Sequence, residues 1–149
     1  MILSDDTLNV LKNFATINPN LIFKPGQRLS TISEAKTILA KSEIVEDFPQ
    51  EFGIYDLNEF LSVYGLIENP QLDFEEKNLL ISNTVGGSAT AGQQKVNYYY
   101  AEPEILTSPQ KDIQMPSAEL GVNIGEDLIN QLRKAAAVLG HTELTLSGN

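Results

Sequence analysis

One unit recurs three times in this chain, and it constrains the fold more than any other feature. The unit is an amphipathic helix, a stop made of glycine or Asn-Pro, and a short strand. The first copy runs from Leu8 through Phe14 and Asn18-Pro19 to Leu21–Phe23. The second runs Asp56-Leu57-Asn58-Glu59-Phe60-Leu61, then Asn69-Pro70, then Leu72–Phe74. The third runs Asp127-Leu128-Ile129-Asn130-Gln131-Leu132, then Gly140, then Leu144–Leu146. Such units bury a helix stripe against a sheet face, which predicts an α+β fold of repeated helix-plus-antiparallel-sheet units. The recurrence points to modular architecture. A shared apolar pattern also arises for generic reasons in any helix–strand unit.

The first helix is capped by Ser4, with Asp5 and Asp6 complementing the positive end of its dipole. Leu8, Leu11 and Ala15 fall on one face, widened by Val10, Phe14 and Ile17. Leu21–Phe23 and the turn Lys24-Pro25-Gly26-Gln27 read as the start of a hairpin continued by Arg28 to Ser33. A further strand is expected from Lys36 to Val45, a loop from Glu46 to Glu51, and a strand from Phe52 to Tyr55. The second helix buries Leu57, Phe60, Leu61 and Tyr64. Strands follow over Gln71–Phe74, Leu79–Ser82 and Lys95–Ala101, with a mobile small-residue loop expected from Gly86 to Gly92. The segment 102–117 holds Pro103, Pro109 and Pro116 and reads as a linker. A strand from Leu120 to Ile124, a helix from Glu126 to Leu139 and a strand from Leu144 to Leu146 complete the pass. The expected organisation is a domain over 1–101, a connector over 102–117, and the first part of a second domain over 118–149. The last part is too short to bury a core alone, so it either packs onto the first domain or the chain stops before its natural end.

Composition excludes several functions. The 149 residues include no cysteine and one histidine, His141, so thiolate metal sites, disulfides and a His cluster are ruled out. No apolar run reaches the length of a membrane span. The acidic start Met1-Ile2-Leu3-Ser4-Asp5-Asp6 is unlike a signal peptide, and the expectation is a soluble protein from a reducing compartment. The formal net charge of −10 argues against a simple nucleic-acid binder, unless the cations gather on one surface. Gly86-Gly87-Ser88 with Gly92 lacks the lysine and spacing of a P-loop. The pairs Asp5-Asp6 and Glu75-Glu76 are better explained by capping and solvation than by acid–base work. No constellation supports catalysis, and no cofactor or metal is expected.

Three segments resemble one family. Leu3-Ser4 with Leu11-Lys12-Asn13-Phe14-Ala15-Thr16-Ile17-Asn18, then Ile54-Tyr55-Asp56-Leu57-Asn58-Glu59-Phe60-Leu61, then Glu126-Asp127-Leu128 to Leu139 resemble, in order, helices of the sliding clamps of large tailed phages. These clamps are polymerase accessory proteins that act as processivity factors. The resemblance covers essentially the whole chain, and the family's proteins continue beyond it, so a second domain cut short is expected. It implies a clamp fold and a ring of three subunits around duplex DNA. It also implies a replicative polymerase and a clamp loader as partners, and action in the cytoplasm of an infected bacterial host. The clamp itself does no covalent chemistry.

On this resemblance Lys12, Arg133 and Lys134 are the candidate DNA-facing cations, since sliding needs phosphate contacts without base contacts. The alternatives are an ordinary solvated face for Lys12 and a helix-dipole preference for Arg133 and Lys134. Helix two departs, because Asn58, Glu59 and Ser62 give it no cation. Val96, Tyr98, Tyr99 and Tyr100 match the strand that pairs with a neighbouring subunit in ring clamps. The alternative is an internal strand whose tyrosines pack on its own sheet. Ile105, Leu106, Ile113 and Met115 are candidates for an apolar pocket that holds partner peptides. One or two anchors are usual in ordered linkers, which favours pinning of the linker instead. The competing function is a non-enzymatic assembly module of a phage that uses edge-strand pairing. It would share the tyrosine strand but would not need Lys12, Arg133 and Lys134 to converge. Residues 1–149 alone are expected to form no competent ring, because closure needs complementary surfaces at both ends of a subunit.

Overall fold

The computed structural model describes residues 1–83, 92, 94–114, 116–118 and 121–147. The chain divides into two compact units, Met1–Asp112 and Ile113–Asn149. The first unit contains α1 (Asp5–Ile17), β1 (Leu21–Phe23), β2 (Gly26–Ile32), β3 (Leu39–Phe48), β4 (Phe52–Ile54) and α2 (Leu57–Leu66). It continues through β5 (Pro70–Phe74), β6 (Asn78–Asn83), β7 (Lys95–Tyr99) and a 3-10 turn, Pro103–Ile105. Every strand pair is antiparallel: β1 with β4, β2 with β3, and β5–β6–β7 in that order. A bridge from Gly53 to Ala101 links β4 to the chain just after β7. The fold is α+β, as the helix–strand pattern implies.

Both helices of this unit form where capping and periodicity place them. Ser4 Oγ accepts from Thr7 N, and Asp56 Oδ1 accepts from the Asn58 and Glu59 amides at 2.9 and 3.1 Å. Leu11 and Phe14 of α1, and Leu57, Phe60 and Tyr64 of α2, are buried, and the two helices pack together. Strand alternation supplies the opposing face. The inward ladders are Leu72–Ile81–Val96 and Phe74–Leu79–Tyr98. Phe52 lies among Phe23, Phe48, Phe74 and Tyr100, stacked on Phe23 with ring centroids 4.5 Å apart.

Several expectations need correction. β1 pairs with β4, not with β2 as the hairpin reading had it. The cause lies in Gly26, whose φ of +110° and neighbouring bulge turn the chain away, so that β2 runs alongside β3 instead. β3 begins later and continues through Glu46 to Phe48, where a loop was expected. The expected strands Leu120–Ile124 and Leu144–Leu146 are absent among the described residues, Leu120 itself lying outside them. A strand needs an edge to pair with, and no strand is present among the described residues of the second unit. The expected loop from Gly86 lies outside the described residues except for Gly92.

Glu46 explains why β3 is long. Its carboxylate accepts from the Ser4 amide and from the Thr7 hydroxyl, and Thr7 in turn accepts from Ser4 Oγ. A helix normally takes such a glutamate from its own third residue; here that residue is Thr7, and β3 supplies the acid. Burial pushes the Glu46 carboxyl up, but the hydrogen bonds from Thr7 and Ser4 outweigh it, and its pKa lies below the ordinary glutamate value. A carboxyl depressed in the folded state stabilises the fold above its unfolded pKa and loses that contribution as pH falls through the folded value. Glu46→Gln should therefore cost about 1–2 kcal/mol near neutral pH. The difference from wild type should shrink on acidification below the ordinary glutamate range, as checked by urea melts from pH 7 to pH 3.

Candidate functional site

The helix pair α1–α2 presents a mostly acidic outer face. Lys12 is exposed on α1, on the side away from Leu11 and Phe14. Asp5 and Asp6 of α1 and Asn58, Glu59 and Ser62 of α2 are exposed as well. Lys12 is thus the one cation this pair offers.

The second unit carries α3 (Glu126–Leu139), ended by Gly140 in the left-handed conformation at φ +68°. Arg133 and Lys134 are exposed in the middle of α3, and its last turn holds no basic residue. The dipole preference therefore does not account for them. They also point differently. Arg133 lines an apolar cleft with Ile129, Leu132 and Ala136 beside the segment His141–Leu144, and Lys134 does not.

β7 is an edge strand of its sheet. On the far side of that sheet, β5 is covered by Met1, which exchanges both backbone hydrogen bonds with Leu72 at 2.6 and 2.7 Å. Beyond β7 the Tyr100 amide bonds Lys77 O, and the Ala101 amide bonds Gly53 O on the opposite side. Antiparallel alternation then directs the Asn97 and Tyr99 amides to the open edge. The tyrosine side chains divide between the two sequence readings. Tyr98 packs against Phe60 and donates to Asp56 O at 3.2 Å. Its phenol is pushed up to about 12 by burial, aided by the nearby Glu59 and Asp56 carboxylates. Tyr100 packs on Phe52, and Val96 is half-buried on the same face. Tyr99 alone of the three is exposed, at 71%.

The linker is held at its start. Leu106 is buried at 7%, while Ile105 is 64% exposed and Ile113, in the second unit, is also exposed. Met115 lies outside the described residues. A Cβ on Gly53 would come within 2.5 Å of Leu106 Cδ1 and 2.6 Å of Ala101 O, so only glycine fits beneath the linker there.

Sequence reasoning missed the residues that fix the linker. Asn18-Pro19-Asn20 was read as a helix stop, and it does end α1. Asn18 is also 1% exposed, and its Nδ2 donates to Ile32 O and to Thr107 O, both at 2.9 Å. Its Oδ1 accepts from the Asn20 amide. Asn20 completes the clasp, accepting from the Thr107 amide at 3.1 Å and donating to Tyr55 O at 2.7 Å. The available signal was two amides flanking a proline at the end of a helix that must be followed at once by a buried strand.

Residues 4–98, which run from the cap of α1 into β7, match the family model of the DNA polymerase processivity factor, and the chain belongs to this family. It is 35% identical over 149 residues to a sliding clamp of Vibrio phage KVP40, covering 97% of the chain and 63% of that relative. It is 32% identical over 136 residues to a sliding clamp of Escherichia phage RB69 and 34% identical over 136 residues to one of Enterobacteria phage T4. Each of these two alignments covers 89% of the chain and 56% of the relative. The chain therefore spans less than two thirds of the length of the relatives it matches. Among the described residues no helix is long and apolar enough to cross a membrane.

Breaking the clasp should release the linker. Asn18→Ala leaves Ile32 O and Thr107 O without that donor and should cost about 1–3 kcal/mol. Amide exchange at Leu106 and Thr107 should rise more than at Leu72 or Ile81, a difference that exchange mass spectrometry resolves.

Proposed function

We propose that the protein carrying this chain is a DNA sliding clamp, which encircles duplex DNA without regard to sequence and tethers a replicative polymerase. It catalyses no reaction. The observation that carries this reading is the family match over residues 4–98, on a domain whose two helices pack together and against its strands. The proposed organisation is a first clamp domain over 1–101, a connector over 102–117, and the beginning of a second domain over 118–149. The proposed partners are duplex DNA, the polymerase and a clamp loader, with three copies closing the ring in the cytoplasm of an infected bacterial host.

On this reading Lys12, Arg133 and Lys134 meet phosphates, and the acidic remainder keeps DNA off the other surfaces. Val96, Tyr98, Tyr99 and Tyr100 belong to the subunit interface through the strand they form rather than through all of their side chains. The free amides of Asn97 and Tyr99 and the exposed Tyr99 ring support that role. Ile105, Leu106, Ile113 and Met115 remain the proposed region for a partner peptide. Leu106 anchors the linker, and the exposed Ile105 beside it is available to a ligand.

Replacing Lys12, Arg133 or Lys134 by Ala should weaken DNA binding equally on unrelated sequences. Each replacement should reduce the slope of log K against log salt by about 0.9, as measured by anisotropy of labelled duplexes. An unchanged slope in all three variants removes them from the DNA surface.

The ring itself is tested by Asn97→Pro in the whole protein that carries this chain. The substitution removes an amide facing the open edge and leaves the β6 ladder intact. Light scattering should show dissociated subunits, and primer extension by the cognate polymerase should give products no longer than without the protein. Wild-type assembly together with undiminished product length would overturn the edge-pairing reading. Failure of the wild-type protein to lengthen products at all would overturn the processivity reading.

A further inference from the structure

The cations of this chain are not spread evenly. Of its 10 Lys and Arg residues, Lys24, Arg28, Lys41 and Lys111 line one concavity of about 330 Å³ in the first unit, shared with Ser30 and a single carboxylate, Asp112. Elsewhere acids outnumber bases, since the whole chain has 20 Asp and Glu.

The local structure explains the convergence. Leu29 and Thr31 of β2 point into the core, so Arg28 and Ser30 point outward. Lys41 stands opposite Ser30 in the β3 ladder, and Glu43 opposite Arg28. The bulge after Gly26 brings the Lys24-Pro25 turn to one rim. The other rim is the linker segment Pro109–Asp112, and Pro25 and Pro109 stiffen the two walls.

Among the described residues, two carboxylates are ion-paired to these four cations. Asp112 is ion-paired to Lys41, and Glu43 lies 3.6 Å from Arg28 with both side chains largely exposed. Lys24 and Lys111 have no ion-pair partner among the described residues. The concavity therefore keeps an excess of positive charge on a protein of net charge −10.

We propose that this concavity docks an acidic segment of a partner protein. The chain's own Asp112, seated on Lys41, displays the chemistry an incoming Asp or Glu would repeat. The size of the concavity selects the occupant. Individual carboxylate side chains on a flexible segment can enter it. A duplex, rigid and far wider, cannot enter a concavity of about 330 Å³ as a carboxylate side chain can. The site lies on the outer face of the β2–β3 hairpin, and the proposal stands whether or not the ring reading does.

The test uses the full chain and a fluorescein-labelled twelve-residue peptide of alternating Glu and Gly-Ser spacers, read by anisotropy. K24E and K111E should each weaken binding at least tenfold, while K77E, the same charge change in the turn between β5 and β6, should change it less than twofold. D112N should tighten binding about threefold, because it removes the carboxylate that lines the concavity. A peptide with Gln in place of each Glu should not bind. Either of two results overturns the proposal: K77E weakening binding as much as K111E does, or a duplex displacing the peptide at equal concentration of charge. The second result would assign the surface to nucleic acid. K24E and K111E lie on different elements, so a misfolded variant, detected by circular dichroism, leaves the other as the test.

Discussion

Phe52 is the point on which the first unit depends. The strands form three separate sheets, β1–β4, β2–β3 and β5–β6–β7, with no ladder running from one to another among the described residues. What joins them is a set of rings drawn from separate strands: Phe23 of β1, Phe48 at the end of β3, Phe74 at the end of β5 and Tyr100 just past β7, all packed around Phe52. Aromatic side chains bury large areas at little conformational cost, so a cluster of this kind can hold sheets that a few ladder bonds could not. The position of the linker follows from it. Gly53 is adjacent to Phe52 and bonds Ala101, and that bridge delivers the chain to the Asn18–Asn20 clasp.

The helices were legible in the sequence because their information is local. Ser4 and Asp56 cap them, and the apolar spacing over Leu8 to Ile17 and Leu57 to Tyr64 repeats at 3.6 residues. Strand partners were not legible for the opposite reason. Leu21–Phe23 is an apolar run bounded by Pro and Gly turns, which marks a strand but not which strand lies alongside it. Glu46-Asp47 looked like loop because a charged pair within a strand is uncommon. Its meaning became clear only when Glu46 met the N-terminus of a helix 39 residues away in sequence, at Thr7. Asn18 is the same case for the functional region: the residue that stops the helix is also buried, because two carbonyls distant in sequence need its amide.

The third copy of the repeat shows the limit of pattern matching. Leu144–Leu146 has the composition of a strand and follows a helix closed by Gly140, yet it forms none among the described residues. A helix is complete once its own backbone bonds are made, whereas a strand exists only against another. Recurrence of a pattern therefore transfers the helix reliably and the strand conditionally.

The electrostatics of the helix pair bear on how such a protein would hold DNA on the proposed reading. Lys12 stands on a face that also carries Asp5, Asp6 and Glu59, so phosphates approaching it closely meet repulsion as well as attraction. Each phosphate neutralised strengthens binding but also raises the barrier to movement along the duplex, because the contact must be broken and remade at every step. A protein that stays on DNA by encircling it has no need of strong contacts, and sliding is fastest when they are few. A sparse set of cations within an acidic surface suits topological retention better than affinity. Taken together, the two proposals separate weak, diffuse attraction on the helices from concentrated charge in the concavity of β2 and β3, where an acidic partner would be held in one place.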